Sequence, residues 1–125
     1  MHKNNPKYLN LFQIRQSVTA ILSILHRISG AALFVGLPFF LWLLSSSLNQ
    51  QEAFDTYHEV MNNFIVKIIL LLFLWATFHH MLAGIRFLIL DIGKGLDLKT
   101  ARLTAKIVLF SAPILTLIVG GYLLW

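Results

Sequence analysis

Three stretches without a single Asp, Glu, Lys or Arg decide what this chain can fold into: residues 28–51, 68–85 and 107–125. Each is close to the ~20 residues that cross ~30 Å of hydrocarbon as a helix. Inside lipid every backbone polar group must find its partner within the protein, so a segment of this length spans as a helix. The 125 residues are 58% hydrophobic and 12% charged, against roughly 25% charged in a soluble domain. A soluble domain of this size has no interior large enough for that much apolar surface. The expected architecture is an all-α membrane protein with three transmembrane helices in one domain. A polar arm covers 1–16, and the spans run about 17–48, 60–91 and 103–125.

Charge follows position. The net charge of +5 comes with no basic patch interleaved with aromatics outside the spans, so it does not point to nucleic acid. Lys3, Lys7 and Arg15 precede the first span, and Lys94, Lys99, Arg102 and Lys106 lie between the second and third. The segment after the first span has Glu52, Asp55 and Glu59, with no Lys or Arg until Lys67. Lys/Arg-rich segments stay in the cytoplasm, which predicts a cytoplasmic N-terminus and an external Trp125. No cysteine is present, which excludes disulfides, thiolate zinc sites and iron–sulfur clusters held by this chain. The start, Met-His-Lys-Asn-Asn-Pro, fits neither a signal peptide nor a transit peptide. Insertion as it stands, into a bacterial inner membrane, is expected.

The first helix is expected to begin near Ser17, with a kink at Pro38, which removes one backbone hydrogen bond. Ser45 to Ser47 and Asn49 to Gln51 read as the outer loop. The second helix is expected to start between Tyr57 and Asn63 and to stop at the glycines 93 and 95. The third carries Pro113, with Tyr122 and Trp125 at interface depth. It shows no chemistry, and packing is its expected role.

Two polar stripes carry chemistry. In the first, Thr19 leads into Ser23, His26, Arg27 and Gly30, which at i, i+3, i+4 and i+7 share one helix face. A hydroxyl, an imidazole and a guanidinium at the membrane margin suit a quinone carbonyl or an anionic carboxylate such as a heme propionate. Gly30 leaves room for a ligand or another helix. The alternative is that Arg27 snorkels to the headgroups while Ser23 bonds a carbonyl one turn back.

The second stripe surrounds His80, an imidazole deep in an apolar span and therefore a functional candidate. Ala76, Thr77, Ala83 and Gly84 are its small neighbours and leave a slot in which a porphyrin can meet the backbone. Histidine is a common axial ligand of heme iron. The competing reading makes the small stripe a helix-packing surface. His79 points about 100° away and is expected at an interface with a partner, sharing a face with Arg86. Arg86 either snorkels or reaches propionates. The antiparallel helices put His26 and His80 at similar depth, so a bis-histidine site within the chain stays open beside one completed by a second chain.

At these residues the chain resembles the cytochrome b-type membrane-anchor subunit of succinate dehydrogenase, respiratory complex II. The resemblance spans nearly the full length. It rests on Pro6, Leu9, Leu11, Ile14 and Arg15 leading into Thr19-Ala20-Ile21 and Ser23-Ile24-Leu25-His26-Arg27-Ile28-Ser29-Gly30. Its second part is His79-His80, then Gly84-Ile85-Arg86 and Asp91. The resemblance implies a heme b shared with a second small membrane subunit, with His80 as an axial ligand to its iron. It implies that Ser23 and Arg27 line a ubiquinone site and that His26 and Arg27 lie near the heme propionates. Iron–sulfur and flavoprotein subunits would complete the complex, with membrane lipid around the anchor. Phe87 departs from the pattern, standing where many relatives have a histidine.

Succinate oxidation itself would belong to the partners, since this chain has neither cysteine nor a GxGxxG fingerprint. An anchor of a quinol:fumarate reductase is a close rival. A cofactor-free membrane scaffold is a rival of another class, but it needs a continuous polar path. The third span offers only Ser111 and Thr116 in its interior.

Overall fold

The computed structural model describes residues 15–49 and 51–125. Most of the expected arm, including Lys3, Pro6, Lys7 and the motif positions Leu9, Leu11 and Ile14, lies outside the described residues. Four helices follow: α1 (Val18–Asn49), α2 (Gln51–Asn62), α3 (Phe64–Asp91) and α4 (Leu98–Leu124). Of these, α1, α3 and α4 are long and apolar enough to cross a membrane, and no strand occurs among the described residues.

Each boundary has a local cause. Ser17 caps α1, its hydroxyl accepting the Ala20 N–H at 3.2 Å. Pro38 lies inside α1, which runs on unbroken to Asn49. Ser45 to Ser47 and Asn49, expected in an outer loop, belong to the end of α1, and the stretch beyond them forms a separate twelve-residue helix, α2. The Ser, Asn and Gln residues preceding it disguise a short amphipathic helix as a polar connection. Asn63 then separates α2 from α3, its side chain accepting the Ile65 N–H at 2.9 Å. At the other end of α3, Gly93 takes a φ of 80°. Its N–H donates to Leu90 and that of Lys94 to Ile89, a closure that favours glycine at the left-handed position. α4 starts at Leu98, earlier than the expected 103, because Asp97 caps it and accepts the Thr100 N–H at 2.9 Å. Lys99, Arg102 and Lys106 therefore sit on the exposed face of a helix.

The three long helices run up, down and up. Along the α1–α3 seam His26 meets Phe87, Gly30 meets His80 and Gly36 meets Phe73, an antiparallel register. Along α3–α4, Arg86 meets Ala101 and Thr104, and Gly120 meets Leu71. At the far end Lys67 Nζ lies 5.0 Å from the Trp125 ring centre. Leu22, Ala83, Ala105 and Val108 form a small core where the three helices converge. The outer faces stay apolar, with Phe34 79% and Leu117 70% exposed. Such a surface suits lipid tails or neighbouring membrane helices rather than water.

Candidate functional site

The site lies on the α1–α3 seam, between the N-terminal half of α1 and the C-terminal half of α3. The rings of His26 and His80 stack, with centres 4.3 Å apart and planes 7° from parallel. Glycine makes the approach of His80 to α1 possible, whereas on the Gly84 side a Cβ would meet His26 in ordinary contact. A Cβ on Gly30 would lie 2.8 Å from His80 Cε1, and one on Gly84 would lie 3.6 Å from His26 Nε2. Each histidine thus rests against a glycine of the opposite helix. Phe87 lies beside the His26 ring, its centre 5.1 Å away and its plane tilted by 54°.

His80 Nδ1 lies 3.1 Å from the His26 carbonyl oxygen. A carbonyl oxygen only accepts, so Nδ1 must carry the proton and donate it. In the neutral ring Nε2 is then left with a bare lone pair. Nε2 makes no hydrogen bond among the described residues, and the His80 side chain is half-buried. A histidine that donates one ring N–H to a backbone carbonyl while its other nitrogen stays free has the arrangement of a metal-ligating histidine. The residues present therefore fit an axial ligand to heme iron. Among the described residues no cluster of three His, Cys, Asp or Glu side chains exists for any other metal site.

The stacking bears on the bis-histidine alternative. Two axial ligands aim their lone pairs at each other through the metal from opposite sides. Face-to-face rings present theirs side by side, in parallel planes, so His26 and His80 do not bracket one iron in this arrangement.

The other residues of the two stripes divide. Arg27 is exposed and Ser23 half-buried, and neither hydrogen-bonds another described residue. Both remain free to meet a ligand. On α1 Ser23 lies three residues before His26 and Arg27 one residue after it, so the pair brackets His26, with Ser23 roughly 4–5 Å toward the N-terminal end. Ala76 and Ala83, expected to flank a porphyrin slot, are buried. Ala83 belongs to the three-helix core. Thr77 is exposed, its hydroxyl donating to the Phe73 carbonyl at 2.9 Å.

Two expectations change. His79 does not face a partner; it is 1% exposed, stacked on Trp75 within its own bundle. Both its ring nitrogens are buried without a partner among the described residues, with the Leu22 backbone carbonyl close by but outside hydrogen-bonding geometry. Arg86 neither snorkels nor stands open to a ligand. It is buried, donating from Nε to the Thr104 hydroxyl at 3.0 Å and from a terminal nitrogen to the Ala101 carbonyl at 2.9 Å. It ties α3 to α4. Sequence reasoning also missed Ser29, which is fully buried, with its hydroxyl 2.8 Å from the His26 carbonyl and 3.4 Å from His80 Nδ1. Its position at i+3 from His26 was the available signal.

Fold and site together define a multi-pass helical membrane protein with a histidine pair held between its first two spans. Residues 1–119 match the family described as "Succinate dehydrogenase/Fumarate reductase transmembrane subunit". The chain is 32% identical over 126 residues, covering all of both chains, to the succinate dehydrogenase cytochrome b556 subunit of Coxiella burnetii. It is 34% identical to the cytochrome b556 subunit of Paracoccus denitrificans, over 92% of this chain and 88% of that one. It is also 34% identical to the cytochrome b560 subunit of Reclinomonas americana, over 94% and 85%. The chain belongs to the succinate dehydrogenase/fumarate reductase transmembrane subunit family, and its three apolar helices are consistent with a bacterial inner membrane.

Proposed function

We propose that this chain is the cytochrome b membrane anchor of a succinate:ubiquinone oxidoreductase. It shares heme b with a second small membrane subunit and forms part of the ubiquinone-reduction site beside the iron–sulfur subunit. The flavoprotein subunit oxidises succinate. The observation that carries the reading is the 3.1 Å contact between His80 Nδ1 and the His26 carbonyl oxygen: a carbonyl only accepts, so the contact assigns Nδ1 as donor and leaves Nε2 as the nitrogen for a metal. A bound heme b supplies a one-electron redox centre. His80 would hold the iron of the bound group, and because His26 stacks beside His80 instead of opposing it, a further ligand would be supplied by the partner membrane subunit. The His26 imidazole and the Arg27 guanidinium would hold the propionates of the group.

Ser23 and Arg27 have separate tasks toward the quinone. A guanidinium offers a fixed fork of N–H donors and a delocalised positive charge. Arg27 therefore orients a quinone carbonyl and stabilises negative charge growing on its oxygen. The Ser23 hydroxyl both donates and accepts, so it can pass a proton from cytoplasmic water to that oxygen. With the N-terminus in the cytoplasm, as the basic residues of the α3–α4 connection and early α4 favour, both groups sit at the inner margin where that water is available. The family embraces fumarate reductases as well, and the potential of the native quinone sets the direction. A cofactor-free transport scaffold finds no polar path in α4, where Ser111 and Thr116 bond back to Val108 and Ala112.

The test is the reduced-minus-oxidised spectrum of the purified complex and of its His80→Leu variant. The wild type is expected to show sharp heme b bands, and the variant to lose or shift them. An unaltered bis-histidine spectrum in the variant would remove His80 from the iron.

A further inference from the structure

The His26 carbonyl receives two side-chain donors, not one. His80 Nδ1–H reaches it at 3.1 Å and the Ser29 hydroxyl at 2.8 Å, while Ser29 Oγ itself stands 3.4 Å from Nδ1. Ser29 is 0% exposed, so its hydroxyl has no water with which to exchange this bond. A carbonyl oxygen has two lone pairs, and donors that share it weaken one another. The His26 ring covers one face of His80 at 4.3 Å, and Gly30 bounds its edge. All the restraints on the ligand ring named here come from one stretch of α1, residues 26–30.

We infer that Ser29 is a positioning residue for His80. By holding and partly occupying the His26 carbonyl, its hydroxyl fixes the ring plane and limits how strongly that carbonyl draws on Nδ1–H. This inference rests on the heme reading above. A stronger Nδ1–H···O=C bond makes the free nitrogen a more basic ligand, and a more basic ligand favours ferric over ferrous iron. Ser29 thus sets the heme potential from this chain alone, without touching iron.

The experiment uses the whole purified complex. In Ser29→Ala the His26 carbonyl, which keeps its helical bond, has His80 as its one remaining side-chain donor. Heme content is expected to persist, while the ferric-to-ferrous ratio at fixed ambient potential rises roughly threefold or more, tenfold being about 59 mV for one electron. Ser29→Thr keeps the hydroxyl, which threonine can also donate to the i−3 carbonyl, and is expected to return the wild-type ratio. An unchanged or lowered ratio in Ser29→Ala overturns the inference. If the alanine variant does not assemble, the threonine variant decides by itself, since an altered ratio there is equally fatal. His80→Leu separates the two levels. If it leaves the low-spin spectrum intact the heme reading fails, whereas its loss beside an unmoved Ser29→Ala sinks only the role of Ser29.

Discussion

The two seams of α3 are built from the same material and do different work. Toward α1, Gly30 admits the ring of His80 and Gly84 faces His26; toward α4, Gly120 admits Leu71, and Ala83 packs with Ala105. In both, small residues let helices approach closely, as membrane packing requires. The difference lies in what fills the space. A leucine end can rotate away at small cost. An imidazole held by a hydrogen bond and a stacked ring cannot move without giving up its orientation. Small-residue stripes therefore mark close approach in either seam, and only the partner side chain tells chemistry from packing.

Substituting the two glycines breaks the comparison most directly. Gly30→Ala puts a Cβ 2.8 Å from His80 Cε1 and 3.2 Å from Nδ1. Overpacking of this kind costs about 1–3 kcal/mol, and here the displaced group is the proposed ligand. Loss or severe alteration of the heme spectrum is expected. Gly120→Ala puts a Cβ against Leu71 Cδ2 and 3.4 Å from Leu74 Cδ2, both ends of flexible side chains, and gains up to about 1 kcal/mol of helix propensity. Its spectrum and thermal stability are expected to stay close to wild type. Equal damage from both would erase the distinction between the seams.

Arg27→Leu sharpens the same contrast from the ligand side. The exposed guanidinium makes no hydrogen bond among the described residues, so its removal leaves the bundle intact. Quinone reductase activity is expected to fall about a hundredfold, the usual effect of deleting one charge-stabilising donor. Succinate oxidation with an artificial acceptor, and the heme spectrum, should persist. Full quinone turnover in an assembled variant would take Arg27 out of the site.

Arg86→Leu probes the structural seam. It removes the two guanidinium bonds to the Thr104 hydroxyl and the Ala101 carbonyl, while the hydroxyl keeps its own bond to that carbonyl at 3.2 Å; losing hydrogen bonds to a charged group costs about 1–3 kcal/mol. The melting temperature of the complex is expected to drop while the heme spectrum holds. Lysine should rescue poorly, since one ammonium lacks the planar fork that serves both acceptors. A changed spectrum at normal stability would return Arg86 to the propionates.

What the sequence made legible follows from which signals are long and one-dimensional. Three spans were readable because lack of charge over ~20 residues leaves few alternatives, and Gly93 was readable because a helix stop favours glycine. α2 was not, since its twelve residues carry too little apolar length to stand out. His79 and Arg86 were misread for a common reason. Helical spacing fixes the face a residue shares with its neighbours, but not which element that face meets. His79 turned out to face its own bundle, and Arg86 found acceptors on α4 that no pattern within α3 displays. Ser29 lay outside the stripe that drew attention to His26, although it bonds the same residue's backbone.

The smallest expected effect lies where the α3–α4 seam begins. Asp97 caps α4, and the bonds it accepts from the Thr100 backbone N–H and then from the Thr100 side chain hold its carboxyl below the ordinary value of 3.8. A carboxylate whose folded pKa is depressed stabilises the fold above its unfolded value and loses that contribution as pH falls through the folded one. Asp97→Ala should therefore lower the melting temperature slightly at neutral pH, with the gap to wild type closing as pH falls below about 3.8. The carboxylate is fully exposed, so added salt should shrink its charge contribution and leave the geometric part of the cap. A gap that is constant with pH would mean that Asp97 acts through cap geometry alone, with its charge contributing nothing to the end of α4 from which Ala101 and Thr104 meet Arg86.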